Sequence, residues 1–470
     1  MNRTLDKLRN TAQAIGPVVL YAALAVGFLL AGYQVWRTTQ NETPGRKITL
    51  DFLWPTYTPQ KVRYGEYLAK RYMEENPDVY VNLILTPDPY RKLQVMIAGR
   101  TTPDVIWMGV GWQQFADALM PLDARVTADP TVRATVCQNT TNCEDYFPRL
   151  WQAVRWQGTV EALPSSGQVG VIYYNKDLFD EAGLNYPTAD WTWDDMVRMA
   201  RALTRDFDGD GTIDQYGLQL GQVYLVPFML YDGQIADPQW RTARVDTPVK
   251  RAILDRYQAL MYEDKVMPTP TTSEELGMLP MFEAGRVAMH AASGYAIESF
   301  RKVQFDWDVV SFPWFEFEGQ RYRATGLWEE EFAILWDTDV PEEAWRFARW
   351  CAGPEMVRWA ALDGHIVPGR IDVASSDAYL HSGRRPENMR AFTDSLSFAV
   401  SIYPHPWLKR IGIDFEPVLD QYLIGTEGRR ITAAEALIQL QQILQRILDE
   451  YNAPVSRSII RAEHGESPTN

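Results

Sequence analysis

Cysteine is scarce. The 470-residue chain has three, Cys137, Cys143 and Cys351, too few for a disulfide-framed fold and without the cysteine–histidine spacing of a zinc site. The five histidines (290, 365, 381, 405 and 464) are scattered, with no His-x-x-His or His-Glu-x-x-His pair, which excludes the usual metalloprotease centre. There is no Gly-Lys-Ser/Thr phosphate loop and no Gly-x-Ser-x-Gly elbow, and Gly109-Val110-Gly111-Trp112 lacks the closing glycine of a dinucleotide loop. Internal repeats are absent too. Basic residues fall short of acidic ones, 46 against 61, for a net charge of −15. Five basic residues against two acidic ones before Lys47 make that end +3 and leave −18 for the body. A body so acidic repels nucleic acid and anionic membrane surfaces.

What is present describes an ordinary globular protein: 46% hydrophobic and 23% charged residues. Its length suggests two or three domains, each able to bury a core. The 17 tryptophans and 23 tyrosines are a heavy aromatic load, most of it expected in cores. One long apolar run stands out. Ile15–Val35 carries no charge over 21 residues, about 31 Å as a helix at roughly 1.5 Å per residue and enough to span a bilayer. Arg3, Lys7 and Arg9 precede it, favouring an amino terminus inside and an exported body. The run exceeds the usual apolar region of a cleaved signal, so an uncleaved signal anchor is expected rather than a cleaved signal peptide. In an oxidising compartment Cys137 and Cys143, flanking Gln-Asn-Thr-Thr-Asn, would close a small loop disulfide. Cys351 reads as a buried, inert thiol.

Beyond Lys47 the chain alternates. A strand over Lys47–Trp54 is followed by a helix over about 61–75, a strand over Val79–Leu85, a helix over about 89–99 and a strand near 104–109. That order predicts a mainly parallel sheet with right-handed crossovers, whose ligands sit beyond the carboxyl ends of the strands. Trp54 and Trp112 stand at two such ends. Val160–Phe179 reads as an extended segment broken at Leu163-Pro164 and a Ser-Ser-Gly turn, then a buried strand, then a helix capped by Asn175 or Asp177 and stopped at Gly183. Thr192 with Asp195 resembles a capping box, and Met196, Met199, Ala200 and Leu203 form the apolar face of the helix it starts. An amphipathic stretch over 248–262 and a capping box at Thr432–Glu435, opening a last amphipathic helix, complete the helical signals.

Asp206–Gly217, D-F-D-G-D-G-T-I-D-Q-Y-G, has the spacing of a calcium loop. Asp206, Asp208, Asp210, the Thr212 carbonyl and Asp214 would be its ligands. The bidentate glutamate of position 12 is replaced by Gly217. The segment therefore also reads as a surface turn held by Asp–backbone hydrogen bonds.

Several dispersed motifs carry a family resemblance. They are Y-N-K-D-L-F with A-G-L after an L-P lead-in at 163–184, W-T-W-D-D at 191–195 and the D-x-D-G-D-G loop. F-E-A-G-R-V-A-M at 282–289, W-D-V-V-S-F-P at 307–313, P-E-E-A-W at 341–345 and G-H-I-V-P at 364–368 complete the set. Together they resemble the extracellular solute-binding proteins of ABC importers, in the sugar-binding branch that includes maltose-binding protein, over roughly residues 47–450. The resemblance implies an α/β, two-lobed periplasmic-binding-protein-like fold with a hinge and an interlobe cleft, here following an N-terminal transmembrane helix. The implied division is a basic region over 1–14, a signal anchor over 15–36 and a linker over 37–46. Lobe one would then hold 47–162 and 310–336, lobe two 163–309 and 337–455, with a tail over 456–470. Leu30-Ala31-Gly32 is followed by Tyr33, so the thiol that the family's lipoproteins acylate is missing.

The implied function is capture of a carbohydrate or sugar-like solute outside the membrane, by hinge closure, for delivery to the transmembrane subunits of an ABC permease. No cofactor is required, calcium in the aspartate loop being an optional ligand, and no catalysis is expected. Aromatic plates cover sugar faces while carboxylates, amides and hydroxyls take sugar hydroxyls. Trp54, Trp112, Tyr295, Trp328 and Trp407 are the candidate rings, although each alone could be a core or surface aromatic. Ser165, Ser166, Glu329 and Arg370 are the polar candidates, Arg370 leaving an anionic solute possible. The resemblance is weakest at Ala324–Trp336, where L-W-E-E-E replaces the family's Gly-Gly-aromatic-Gly. Glu330 and Glu331 read there as the polar lead-in to a strand starting at Phe332. A membrane-anchored sensor on the same fold, or a glycoside hydrolase using paired carboxylates, are the rivals.

Overall fold

The computed structural model describes residues 48–129, 145–221, 235–237, 239–401, 408–425 and 429–452. The 15–36 span, Cys137, Cys143 and Trp407 lie outside them. Among the described residues no helix is long and apolar enough to cross a membrane. They fall into two compact units. The small one holds the residues up to Leu50 and Ala69–Asn82, tied by the Ile48 N–H donating to the Asp78 carbonyl at 3.2 Å. The large one holds Asp51–Leu68 and the described residues from Leu83 onward, and the candidate site described below lies within it.

The strands are β1 (Ile48–Pro55), β2 (Val79–Thr86), β3 (Val105–Gly109), β4 (Ala162–Val169), β5 (Val171–Asn175), β6 (Tyr216–Gln219), β7 (Val287–Ala292), β8 (Trp307–Val310), β9 (Thr325–Ile334) and β10 (Ala399–Ser401). One six-stranded sheet runs β10-β9-β3-β1-β2, with β4 paired along the other side of β9. A four-stranded sheet runs β8-β5-β7-β6. The β1–β3 pair is parallel, as the strand–helix–strand order predicts, while β9 runs antiparallel to both β3 and β4. The mixed α/β architecture therefore follows the sequence pattern, with the late strand β9 inserted in the first sheet.

Local chemistry accounts for the main helices. These are α1 (Pro59–Glu75), α2 (Pro89–Gly99), α3 (Lys176–Glu181), α4 (Trp193–Leu203), α5 (Pro248–Tyr262), α6 (Pro341–Cys351) and α7 (Ala433–Asn452). The Thr58 hydroxyl caps α1 by accepting from the Lys61 N–H at 3.1 Å, and Asn175 caps α3 through the Leu178 N–H at 3.2 Å. Both halves of the Thr192/Asp195 capping box form on α4, and the Thr432/Glu435 box precedes α7. Met196, Met199, Ala200 and Leu203 on α4 are all buried, in one core with Ile253 of α5 and Leu437 and Leu440 of α7.

Two expectations are corrected. Val160–Phe179 does not break at Pro164, because β4 runs through it as a continuous strand. Its register against β9 shifts between Glu330 and Glu331, where Ser166 faces Glu330 and Pro164 faces Glu331. Ser165 is thus the extra residue of a β-bulge, and a proline beside a bulge costs the ladder little. Nor are Glu330 and Glu331 a polar lead-in. They sit in the middle of β9, with Glu329 and Glu331 on one face and Trp328 and Glu330 on the other.

Candidate functional site

A cavity of about 600 Å³ opens where the leading end of α1 meets β4, β9 and the turn after β7. Alternation along β9 puts Trp328 and Glu330 into it. The start of α1 adds Gln60, Lys61 and Tyr64, preceded by Tyr57 and Thr58. The opposite wall carries His290, Ser293 and Tyr295, with Glu298 and Lys302 on the helical segment beyond. Tyr295 and Tyr57 are 62% and 57% exposed, so both rings are presented rather than packed away.

The floor is an ion pair. Lys61 Nζ lies 3.1 Å from Glu330 Oε1, and Glu330 Oε2 accepts from the Ser166 hydroxyl at 2.8 Å. Burial pushes the Lys61 ammonium below its ordinary value while Glu330 pulls it back up. Across the cavity, His290 Nδ1 is 3.0 Å from Gln219 Oε1, and burial lowers the imidazole to about 3. It is a neutral hydrogen-bonding group. Gln168 of β4 reaches the cavity against the turn after β7. A Cβ on Gly294 would lie 2.7 Å from both Gln168 Oε1 and Val367 Cγ2, so a larger residue there would push the Gln168 and Val367 side chains aside. Gln168 Oε1 has no hydrogen-bond partner among the described residues, an acceptor left open beside the cavity.

Of the sequence candidates, Tyr295 and Trp328 line this cavity and are brought together there. Trp54 and Trp112 do not. Both are fully buried, their indole N–H groups donating to the Lys61 carbonyl at 2.7 Å and the Ala153 carbonyl at 3.2 Å. A tryptophan at a strand end can as well turn under the neighbouring helix as into the cleft, and these turn under. Arg370 is also corrected. It is 5% exposed and faces Asp372 at 3.0 Å and Asp145 at 3.5 Å, over the Tyr146 ring, a closed ionic cluster with no side on the cavity. Ser165 donates to the Glu330 carbonyl at 3.0 Å. Glu329 is buried facing the Ser401 hydroxyl at 3.2 Å, on the strand face opposite the cavity. Lys61, Glu330, Gln168 and His290 escaped the sequence reading. The strand period through W-E-E-E would have found Glu330, had the strand been started at Thr325.

Asp206, Asp208 and Asp210 converge, their carboxylate atoms lying within 4.8 Å of one another on the surface. Those carboxylates already accept backbone N–H groups, Asp206 from Gly209 and Gly211, Asp208 from Asp210, and Asp210 from Thr212. The turn is closed by its own Asp–backbone bonds, and its first three carboxylates could hold a cation.

The profile of the family described as bacterial extracellular solute-binding protein matches residues 58–358, well over half of the chain. The protein belongs to that family. Among curated relatives of this solute-binding protein, the maltotriose-binding protein of Pyrococcus abyssi is 21% identical over 330 residues, 67% of this chain and 65% of the relative. The match thus spans about two thirds of that relative's length. The mannitol-binding protein of Pseudomonas aeruginosa is 27% identical over 314 residues, 62% of this chain and 68% of the relative. The fold is shared with the sugar-binding protein MalE from Xanthomonas citri, at TM-score 0.72 and 20% identity over 89% of this chain and 100% of that one. An ABC substrate-binding protein from Listeria monocytogenes in complex with cycloalternan aligns at TM-score 0.69 and 23% identity, covering 86% of this chain and 99% of that chain.

Proposed function

We propose that this solute-binding protein captures a carbohydrate or polyol outside the cytoplasmic membrane and passes it to an ABC permease. Residues 15–36 would tether it, and the two lobes would close on the solute by a hinge. The observation that carries the reading is the composition of the 600 Å³ cavity. Rings of Tyr57, Tyr295 and Trp328 offer apolar plates, while Gln168, His290 and Glu330 offer donors and acceptors at the same surface. This is the pairing that a molecule with apolar C–H faces and a hydroxyl rim requires. Contacts made from both walls exist only when the walls are close, so a solute stabilises the closed state by its differential affinity. One named relative binds maltotriose and another mannitol, which sets the range of solutes to try.

A thermal-shift screen over mono-, di- and oligosaccharides, hexitols and sugar phosphates tests it. A neutral sugar or polyol is expected to raise the melting temperature, and no response to any of them would sink the reading. With the best hit, Trp328→Ala and Tyr295→Ala are each expected to weaken binding at least tenfold, about 1.4 kcal/mol, by isothermal titration. Tyr295 is exposed, so its variant should melt with the wild type when unliganded. Calcium at Asp206, Asp208 and Asp210 is part of the proposal as an accessory ligand: millimolar calcium should raise the unliganded melting temperature, and chelation should reverse it. Unchanged melting would remove it.

A further inference from the structure

The first turn of α1 carries a charge that the helix itself does not favour. Lys61 is the third residue of α1, where the helix dipole prefers a carboxylate, and its side chain is only 12% exposed. Its ammonium lies 3.8 Å from the centre of the Trp107 ring, 5.2 Å from Trp54 and 5.9 Å from Tyr64. Glu330 completes the enclosure at 3.1 Å. Three ring faces and one carboxylate around an ammonium make the kind of box that recognises cationic ligands, and here the chain supplies the cation. The walls are fixed in advance, because Trp54 is buried and hydrogen-bonded to the Lys61 carbonyl and Glu330 is held by Ser166. Stability offers no account of the lysine, since an apolar side chain would fill such a space without the cost of burying a charge.

We propose that Lys61 determines the charge class of solute the cavity accepts: its ammonium occupies an aromatic–carboxylate box that would otherwise take a ligand cation, leaving the site to uncharged, hydroxyl-rich solutes. The inference rests on the reading of this cavity as the solute site. The rest of the lining agrees with it. Lys61 and Lys302 stand against Glu298 and Glu330, and His290 and His365 are both pushed toward the neutral form by burial. No net charge is left for an ionic ligand to meet.

The test removes the internal cation and offers it back. Lys61→Ala in the full chain leaves room for a short primary amine, and n-propylammonium is the probe, with n-propanol as its uncharged counterpart. Millimolar n-propylammonium is expected to raise the melting temperature of Lys61→Ala by several degrees and to bind it at least tenfold tighter than n-propanol. Wild type should respond to neither. The rescue should vanish in Lys61→Ala/Glu330→Gln, where the carboxylate is gone. Should Lys61→Ala fold only when the amine is present during refolding, and not with n-propanol, that selectivity supports the proposal equally. Equal effects of amine and alcohol, or no effect of either, overturn it. The two readings fail separately: if wild type takes no carbohydrate yet the variant takes the amine, the solute assignment is lost and the box remains. If wild type takes a sugar and the variant ignores the amine, the box is lost and the solute assignment remains.

Discussion

Replacing Glu331 by Gln is expected to make the protein more stable above the ordinary glutamate range, by an amount that grows as the pH rises toward the raised value of the buried carboxyl. Glu331 is fully buried in β9, and neither carboxylate oxygen has a hydrogen-bond partner among the described residues. Burial pushes its carboxyl well above the usual range, and the Glu329 and Glu330 carboxylates push further in the same direction. Glu329, on the same strand face, is pushed up to about 7, chiefly by burial. The sign follows from linkage. A carboxyl with a raised folded-state value contributes fully below the unfolded value of 4.5, where both states hold the proton. Above it the unfolded chain releases a proton that the folded chain retains, so stability falls as pH rises toward the folded value. One such group gives a slope of about 1.4 kcal/mol per pH unit. Urea unfolding at pH 5, 6, 7 and 8 should show wild type losing stability across that window and Glu331→Gln losing it less steeply. The gap between them should widen as the pH rises through that window, by no more than about 1.4 kcal/mol per pH unit. Parallel profiles would mean that Glu331 finds a partner and stays ionised.

The same strand shows how far the sequence could be read. Element order, helix limits and both capping boxes are local properties, set by spacing and by side chains within three or four residues of the backbone they cap, and the structure follows them closely. The site depends on something else. Glu330 lies on the cavity only because β9 is inserted between β4 and β3, and a run of three carboxylates looks like a solvated lead-in until that pairing is known. Pro164 reads as a break because a proline normally ends a ladder, and only the opposite strand reveals the bulge beside it. Trp54 and Trp112 fail for a related reason. Position at a strand end fixes which end of the sheet a ring occupies, but its rotamer is chosen by whatever the fold packs beside it, here the Lys61 carbonyl for Trp54 and the Ala153 carbonyl for Trp112. Tyr295 and Trp328 reach the cavity because one follows a turn and the other alternates with Glu330 on the open face.

Gly217→Ala is expected to cost roughly 3 kcal/mol or more. Gly217 lies in β6, where the strand passes directly under α4. A Cβ built on it would lie 2.0 Å from the Ala200 carbonyl oxygen and 2.5 Å from its carbon. Both are backbone atoms, so no rotamer change relieves the contact. Either β6 leaves β7, where Tyr216 faces Val287 and Leu218 faces Met289, or α4 lifts from the core that Met196, Ala200 and Leu203 help to fill. The residue is also the twelfth position of the aspartate loop, where a calcium loop would place its bidentate glutamate. The clash explains why none stands there: this position belongs to the strand, and the loop has already ended. Gly217→Glu should therefore gain no calcium affinity and should unfold at least as readily as Gly217→Ala. Urea unfolding, with and without millimolar calcium, measures both effects. An alanine variant within about 1 kcal/mol of wild type would show that strand and helix can part cheaply. A glutamate variant that calcium stabilises more than it stabilises wild type would show that position twelve remains part of the loop.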